Sequence, residues 1–278
     1  IQTSGISRAW ADHLRRLATL EPWVILWYLA GFGSVYYVAM LPLHFYGSFV
    51  VEHRFHLSLM SLRNWWVREA KRVGVSTVLS LLLIEALYAL LRHVPAHWPL
   101  WATLGWVVFS VVLARLFPTV LLPLFYKTTP VEDPVLVERL LRRCRRGGVP
   151  ALGVFRFQLG AETRKANAAL AGLGKTRRVL LSDTLIGAFP PEEIEGVLAH
   201  ELAHHHHRHI VKLLLVSAIG SWVAFQLTQA VGSWWVQHLV LDSLADIAGF
   251  PVFLLWLSCL GVLGLPLQHA MSRAFEWQ

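Results

Sequence analysis

The sequence predicts a mainly α-helical, multi-span membrane bundle that carries a small α+β cytosolic domain. Three observations lead there. First, 55% of the 278 residues are hydrophobic and only 15% are charged, against roughly 45–50% and about 25% in soluble globular chains; the mean hydropathy is +0.51. Second, the apolar residues are gathered into runs long enough to cross a bilayer, which takes about 20 residues of helix. Third, the 13 tryptophans are the kind of side chain that collects at membrane–water boundaries.

Five runs qualify as spans, at residues 23–46, 75–91, 100–117, 210–235 and 249–267. The second carries Glu85 and the third Arg115. An ionisable group inside a span signals either function or an ion pair within the bundle. The third run passes into an apolar stretch, 118–126, broken by Pro118 and Pro123. These runs divide the chain into a membrane region at 1–126, a cytosolic catalytic region at 127–209, a two-span region at 210–268 and the start of a further helix at 269–278. The chain opens at Ile1 without a signal-peptide layout and stops at Gln278, so it is expected to be part of a longer protein.

Within the polar region, Thr128 to Pro134 reads as a loop. An amphipathic helix follows, with Val135, Val137, Leu140 and Leu141 on one side and Arg139, Arg142, Arg143, Arg145 and Arg146 mostly on the other. Gly147, Gly148 and Pro150 end it. Strand-like runs come next at 152–158, 168–173 and 178–181, with a turn at Gly172-Leu173-Gly174. Asp183 and Thr184 read as a turn or helix cap. Pro190-Pro191 followed by Glu192, Glu193 and Glu195 starts a helix with acid at its positive end, and that helix runs through His200 to His209 into the fourth span.

Basic residues near span ends set the sidedness. Arg63, Arg68, Lys71 and Arg72 put the first interspan loop inside, and the Arg-rich 127–209 region falls inside with it. The loop with Pro95, His97 and Pro99, and the loop with Asp242 and Asp246, fall outside. Arg8, Arg15 and Arg16 break the alternation, and a short amphipathic helix resting on the membrane surface would accommodate them. The +8 net charge is thus read as topology and contact with membrane lipids, with no nucleic-acid partner. Cys144 and Cys259 suggest neither a disulfide framework nor a thiolate metal site.

The chemistry lies in His200-Glu201-Leu202-Ala203-His204. Residues i and i+4 share a helix face, so both imidazoles reach one metal ion, while Glu201 is offset toward a metal-bound water. Zinc lowers the pKa of that water to about 7, and a carboxylate takes its proton during attack on a carbonyl. A catalytic zinc needs a third protein ligand. Between Glu201 and Asp242 there is no acidic residue, and Asp242 and Asp246 fall on the other side of the membrane. Glu276 is left by elimination. His205, His206, His207 and His209 are expected to face solvent or headgroups, with His207 on the same face as His204 and available to support the site. The resulting expectation is a zinc peptidase domain of the gluzincin-like kind, with one Zn2+ per chain.

Two other readings compete. A membrane di-iron oxygenase or desaturase would need His93 and His97 beside His200, His204 and His205, but the two sets fall on opposite sides. A zinc transporter or sensor would use the histidine run but leaves Glu201 and Glu276 without a role.

Several segments carry a wider likeness: LPLHFYGSFVVEHRF at 41–55, PTVLLPLFYKTTPVED at 118–133, NAALAGLGKTRRVLLSDTL at 167–185, EIEGVLAHELAH at 193–204 and SRAFE at 272–276. In this order they resemble the membrane zinc peptidases typified by the type 1 CAAX prenyl protease. The resemblance implies that His200, His204 and Glu276 bind zinc and that Glu201 is the general base. It implies that the strand at Asn167 and Ala168 lies along the cleft and pairs with an extended substrate peptide. It further implies a chamber between membrane helices, a site facing the cytosol, and a peptide or protein substrate, lipidated in the family's best-known members.

Overall fold

The computed structural model describes residues 5–239 and 241–277, so the outermost residues of the first and last predicted regions, 1–4 and 278, lie outside it. Among the described residues five helical stretches are long and apolar enough to cross a membrane: Glu21–Arg54, Leu62–His93, Trp98–Phe125, His209–His238 and Ile247–Glu276. Each coincides with a predicted span and extends it at one or both ends.

In chain order, α1 (Ile6–Leu17) precedes α2 (Glu21–Phe45), which continues through a π-helical segment, Tyr46–Val51, into α3 (Glu52–Arg54). α4 (Leu62–His93) and α5 (Trp98–Leu116) follow, and α5 passes through a second π-helical segment, Phe117–Leu121, into α6 (Leu122–Phe125). Pro118, inside that second segment, has no N–H to give the preceding turn, which favours the wider winding there. After β1 (Thr128–Pro130) come α7 (Pro134–Arg146), β2 (Val154–Phe157), β3 (Ala168–Ala171), β4 (Arg178–Ser182), α8 (Asp183–Ala188), α9 (Pro191–His206), α10 (His209–His238) and α11 (Phe250–Glu276).

The chain forms two compact units. The first comprises Ile1–Pro42, Val73–Val107 and Leu215–Ala274. Its core gathers Ala11 and Leu14 of α1 with Val24, Ile25, Tyr28, Tyr88, Ile247 and Phe250. α1 is amphipathic as expected, and its apolar side is docked in this core. Its buried residues Ser7, Ala11 and Leu14 recur at helical spacing. The small side chains of the first two allow close approach, and the Ser7 hydroxyl donates to the Ala248 carbonyl at 2.6 Å. Arg15 donates to the buried Asp246 carboxylate at 2.8 Å, and Arg8 to Asp242 at 3.3 Å. Two of the three arginines that break the charge alternation, Arg8 and Arg15, are therefore neutralised by the acidic loop, while Arg16 is exposed.

The second unit comprises Leu43–Arg72, Val108–Leu214 and Phe275–Gln278. It is built on a four-stranded sheet of order β1-β2-β4-β3. β1 pairs antiparallel to β2, β2 parallel to β4, and β3 antiparallel to β4 with Ala168 opposite Leu181 and Ala171 opposite Arg178. β1 replaces the loop expected at Thr128–Pro130. It is an edge strand, where a proline's missing N–H need cost no ladder bond. β4 is buried on both faces. Val179 and Leu181 face Leu136, Leu140 and Cys144 of α7 and Ile194, Leu198 and Leu202 of α9. Leu180 faces Leu122, Phe157 and Leu159. Of the apolar face expected for α7, Leu140 is buried and Val137 and Leu141 pack against the cluster, but Val135 is 66% exposed and Leu136 and Cys144 complete the buried stripe. The Asp133 carboxylate caps that helix by accepting from the Val135 and Leu136 amides.

Candidate metal centre

α9 begins with Pro191 at its first position and Glu192 and Glu193 in its first turn, an arrangement that suits a helix N-terminus. Ile194, Leu198 and Leu202 are 2%, 1% and 7% exposed and form one stripe against the sheet and α7. Arg139 of α7 clasps the helix from its polar flank, with Nε 2.9 Å from Glu195 Oε1 and Nη1 2.9 Å from Glu192 Oε1. These contacts hold both glutamate carboxyls below their usual range: Glu195 chiefly through Arg139, Glu192 chiefly through its own backbone amide and then Arg139. His200 and His204 each follow a buried leucine by two positions, about 200° around the helix. Burying the stripe therefore points both imidazoles away from the core.

Glu276, the last residue of α11, meets them there. His200 Nε2 lies 3.2 Å from His204 Nε2. Glu276 Oε2 is 3.3 Å from His200 Nε2, and Oε1 is 3.7 Å from His204 Nε2. One ligand atom from each residue lies within 4.8 Å of the others. Ligands at about 2.0–2.1 Å from a tetrahedral ion stand about 3.3 Å apart, so the three atoms fit three corners around one cation and leave a fourth open. His200 and Glu276 are exposed and His204 is partly buried, which leaves the open side accessible. Glu201, half-buried, is one residue from His200 and is not among the three grouped atoms. His93 and His97 belong to no metal-spaced group among the described residues.

The remaining histidines divide differently from expectation. His206 is exposed, and it meets His207 edge to face at 5.4 Å. His205 is turned inward, with Nε2 3.5 Å from the Leu170 carbonyl of β3. Burial, then the charge of Arg177, pushes its pKa below the usual imidazole range. His209 is only 4% exposed, and its Nδ1 lies 2.8 Å from Nδ1 of His204. The place beside His204 that helical spacing allots to His207 is therefore taken by His209.

Asn167 and Ala168 stand at the free edge of the sheet, since β3 is its terminal strand. The Asn167 main chain is already engaged: its N–H donates to Ser182 Oγ at 2.8 Å and its carbonyl accepts from the Ser182 amide at 2.8 Å. Because main-chain groups alternate in direction along an antiparallel strand, those of Ala168 and Leu170 point away from β4, where the Leu170 carbonyl meets His205. Asn167 also lines a cavity of about 500 Å3 in the second unit, with Trp65, Arg68, Tyr126 and Lys165. Asp183 proves to be structural. Its Oδ1 accepts from the amides of Leu159, Gly160 and Thr184 at 2.8–2.9 Å and ties the loop after β2 to the start of α8.

Comparison with known proteins follows the same lines. Residues 2–127 match the family model described as CAAX prenyl protease N-terminal, five membrane helices. Residues 130–278 match that of peptidase family M48. The chain is 26% identical over 240 residues to the uncharacterized metalloprotease YhfN of Bacillus subtilis, covering 85% of this chain and 56% of that protein. It is 25% identical over 207 residues to CAAX prenyl protease 1 of Saccharomyces cerevisiae, covering 74% and 46%. It is 28% identical over 265 residues to the CAAX prenyl protease 1 homolog of Oryza sativa subsp. japonica, covering 90% and 60%. The chain thus spans about half the length of the curated relatives it matches. The crystal structure of S. mikatae Ste24p shares the fold, with a TM-score of 0.86 at 23% identity, over 100% of this chain and 69% of that one. Five apolar helices and a segment that matches peptidase family M48 and contains both histidines and Glu276 lead to one conclusion: the chain is an integral membrane protein belonging to peptidase family M48.

Proposed function

We propose that this chain is a zinc-dependent endopeptidase in which His200, His204 and Glu276 hold the ion and Glu201 is the general base. The observation that carries the proposal is the convergence of Glu276, from the end of α11, on the two imidazoles of α9 at ligand spacing. Two neutral imidazoles and one carboxylate with an open fourth position are the donor set of a catalytic zinc. Bound there, zinc would acidify a water and polarise a peptide carbonyl.

Each residue of the proposed site then has a defined task. The buried leucine stripe of α9 fixes the direction in which His200 and His204 point. Glu201, set back from the ligand atoms, accepts the proton of the attacking water and passes it to the leaving amine. An extended peptide adds to the outer edge of β3 through the main-chain groups of Ala168 and the Leu170 amide, beside the cavity that Asn167 lines. The substrate is a peptide or protein. The names of the yeast and rice relatives make a prenylated C-terminal peptide the first to assay, beside its unlipidated twin. The basic interspan loops support a cytoplasmic position for the site, with membrane lipids around the spans.

Metal analysis and turnover of the detergent-solubilised protein test the reading together. About one zinc per chain should be present, and should be lost in His204→Ala and Glu276→Ala. Glu201→Gln should retain the zinc while turnover falls by about 10²–10⁴. Full zinc occupancy in Glu276→Ala would remove that residue from the site, and two irons per chain would overturn the peptidase assignment.

A further inference from the structure

We infer that His209 is a positioning residue that fixes the ring of His204 for metal binding and couples it, through Phe275, to Glu276; the inference rests on the metal site proposed above. Nε2 of His204 faces His200 and Glu276, at 3.2 and 3.7 Å. That nitrogen must therefore offer its lone pair to the ion, so the ring proton sits on Nδ1. The 2.8 Å contact to His209 then has only one polarity: His204 Nδ1–H donates and His209 Nδ1 accepts. A metal-binding imidazole whose second nitrogen is hydrogen-bonded is held in one tautomer and one orientation.

The backbone is bent to make this contact. Five residues apart on a continuous helix, two side chains lie about 140° around the axis and cannot meet. α9 ends at His206 and α10 starts at His209, and between them Arg208 has a φ of 54°. A left-handed arginine is strained, and such strain persists where the surrounding structure demands it. Here the turn swings the ring of His209 back under His204, with ring centroids 5.0 Å apart.

The ring of His209 also stacks on Phe275, centroids 4.3 Å apart and planes 9° from parallel, and on His207 at 5.5 Å and 17°. Phe275 immediately precedes Glu276 on α11. Lys212, one turn into α10, lies over the same aromatic ring at 5.4 Å. One buried imidazole thus contacts a ligand on α9 and the residue next to the ligand on α11, so the two parts of the site are set against each other by a single side chain.

The test compares three substitutions of His209 in the full chain. His209→Phe keeps a ring on Phe275 but offers no acceptor. The amide of Asn lies near the position of Nδ1, and that of Gln near the position of Nε2. Zinc affinity by chelator competition, the visible spectrum of the cobalt-substituted protein, and the unfolding midpoint of the metal-free protein are read for each. His209→Phe and His209→Gln should bind zinc about 10–100-fold more weakly and shift the cobalt bands, whereas His209→Asn should stay within about threefold of the unsubstituted protein. Metal-free unfolding midpoints should not follow that order. Unchanged affinity and spectrum in Phe and Gln would reduce the contact to packing and overturn the inference, as would equal loss in all three. If His204→Ala retained as much zinc as the unsubstituted protein, the metal site itself would fall. Should Phe not accumulate, the Asn–Gln contrast decides alone.

Discussion

Leu198→Ala tests whether the metal helix is aimed by its buried side. Leu198 is 1% exposed and lies in the cluster that joins α7, α9 and the inner face of β4. Removing three buried carbon groups at about 0.8 kcal/mol each costs about 2.4 kcal/mol. The cavity left among Leu140, Leu181 and Ile194 raises the loss to about 3–4 kcal/mol. Since about 1.4 kcal/mol is tenfold, opening of this region should become at least a hundredfold more frequent. Hydrogen exchange followed by mass spectrometry reads this directly in detergent, because protected amides exchange through such openings. Peptides from α9 and β4 should exchange about two orders of magnitude faster in Leu198→Ala, and bound zinc should be lost more readily. Val197, 37% exposed on the neighbouring face, is the control, and its replacement by Ala should change exchange by less than about threefold. An equally small change in Leu198→Ala would refute the idea that burial of the stripe orients His200 and His204.

Two further outcomes follow from local geometry. Gly172, between β3 and β4, has a φ of 95°, and an added Cβ would stand 2.6 Å from the Thr176 carbonyl oxygen and 2.9 Å from its carbon. Both are backbone atoms that cannot rotate away. Gly172→Ala should therefore displace the hairpin, lowering kcat/KM severalfold while leaving zinc content unchanged; an unaltered kcat/KM would show that the β3 edge does not hold the peptide. Arg139 makes α9 acid-sensitive in a predictable direction. Glu192 and Glu195 have depressed pKa values in the folded protein, so their contribution is complete above the unfolded value of about 4.3 and is lost as pH falls through the lower folded value. Arg139→Gln should accordingly speed exchange in α9 at pH 7, and this difference from the unsubstituted protein should shrink steadily below about pH 4.

Much of the fold was legible because the bilayer imposes a strong rule. A span must be long, helical and apolar, and all five runs obeyed it. The amphipathic character of α7 and the Gly172 turn were legible for a similar reason, since each is a local pattern with a local cause, although the buried side of α7 runs through Leu136 and Cys144 and leaves Val135 exposed. β1 was not. Three residues, Thr128–Pro130, become a strand through pairing with Phe155–Phe157 far along the chain, and their own composition reads as a loop. α1 was half legible. Its amphipathicity is plain, but its docking depends on Asp242, Asp246 and Ala248, more than two hundred residues away.

The metal centre shows where periodicity ends as a guide. His200 and His204 are one helical turn apart, so the sequence alone brings them together. Glu276 is reached by elimination, which is possible because acidic residues are scarce in an apolar chain, and the fold brings its carboxylate to within 3.3 and 3.7 Å of the two imidazoles. His209 was missed for a definite reason: helical spacing assigns the flank of His204 to His207, and that assignment holds only if the helix is continuous. The left-handed residue Arg208 breaks it, and neither arginine nor its neighbours announces a positive φ. If the break exists to seat His209, relieving the strain at Arg208 should not harm the site so long as the turn is kept. Arg208→Gly, which adopts that φ without cost, should leave zinc affinity within about threefold and the metal-free protein at least as stable. A large loss of zinc affinity in Arg208→Gly would mean that the guanidinium, and not the bend, serves the site.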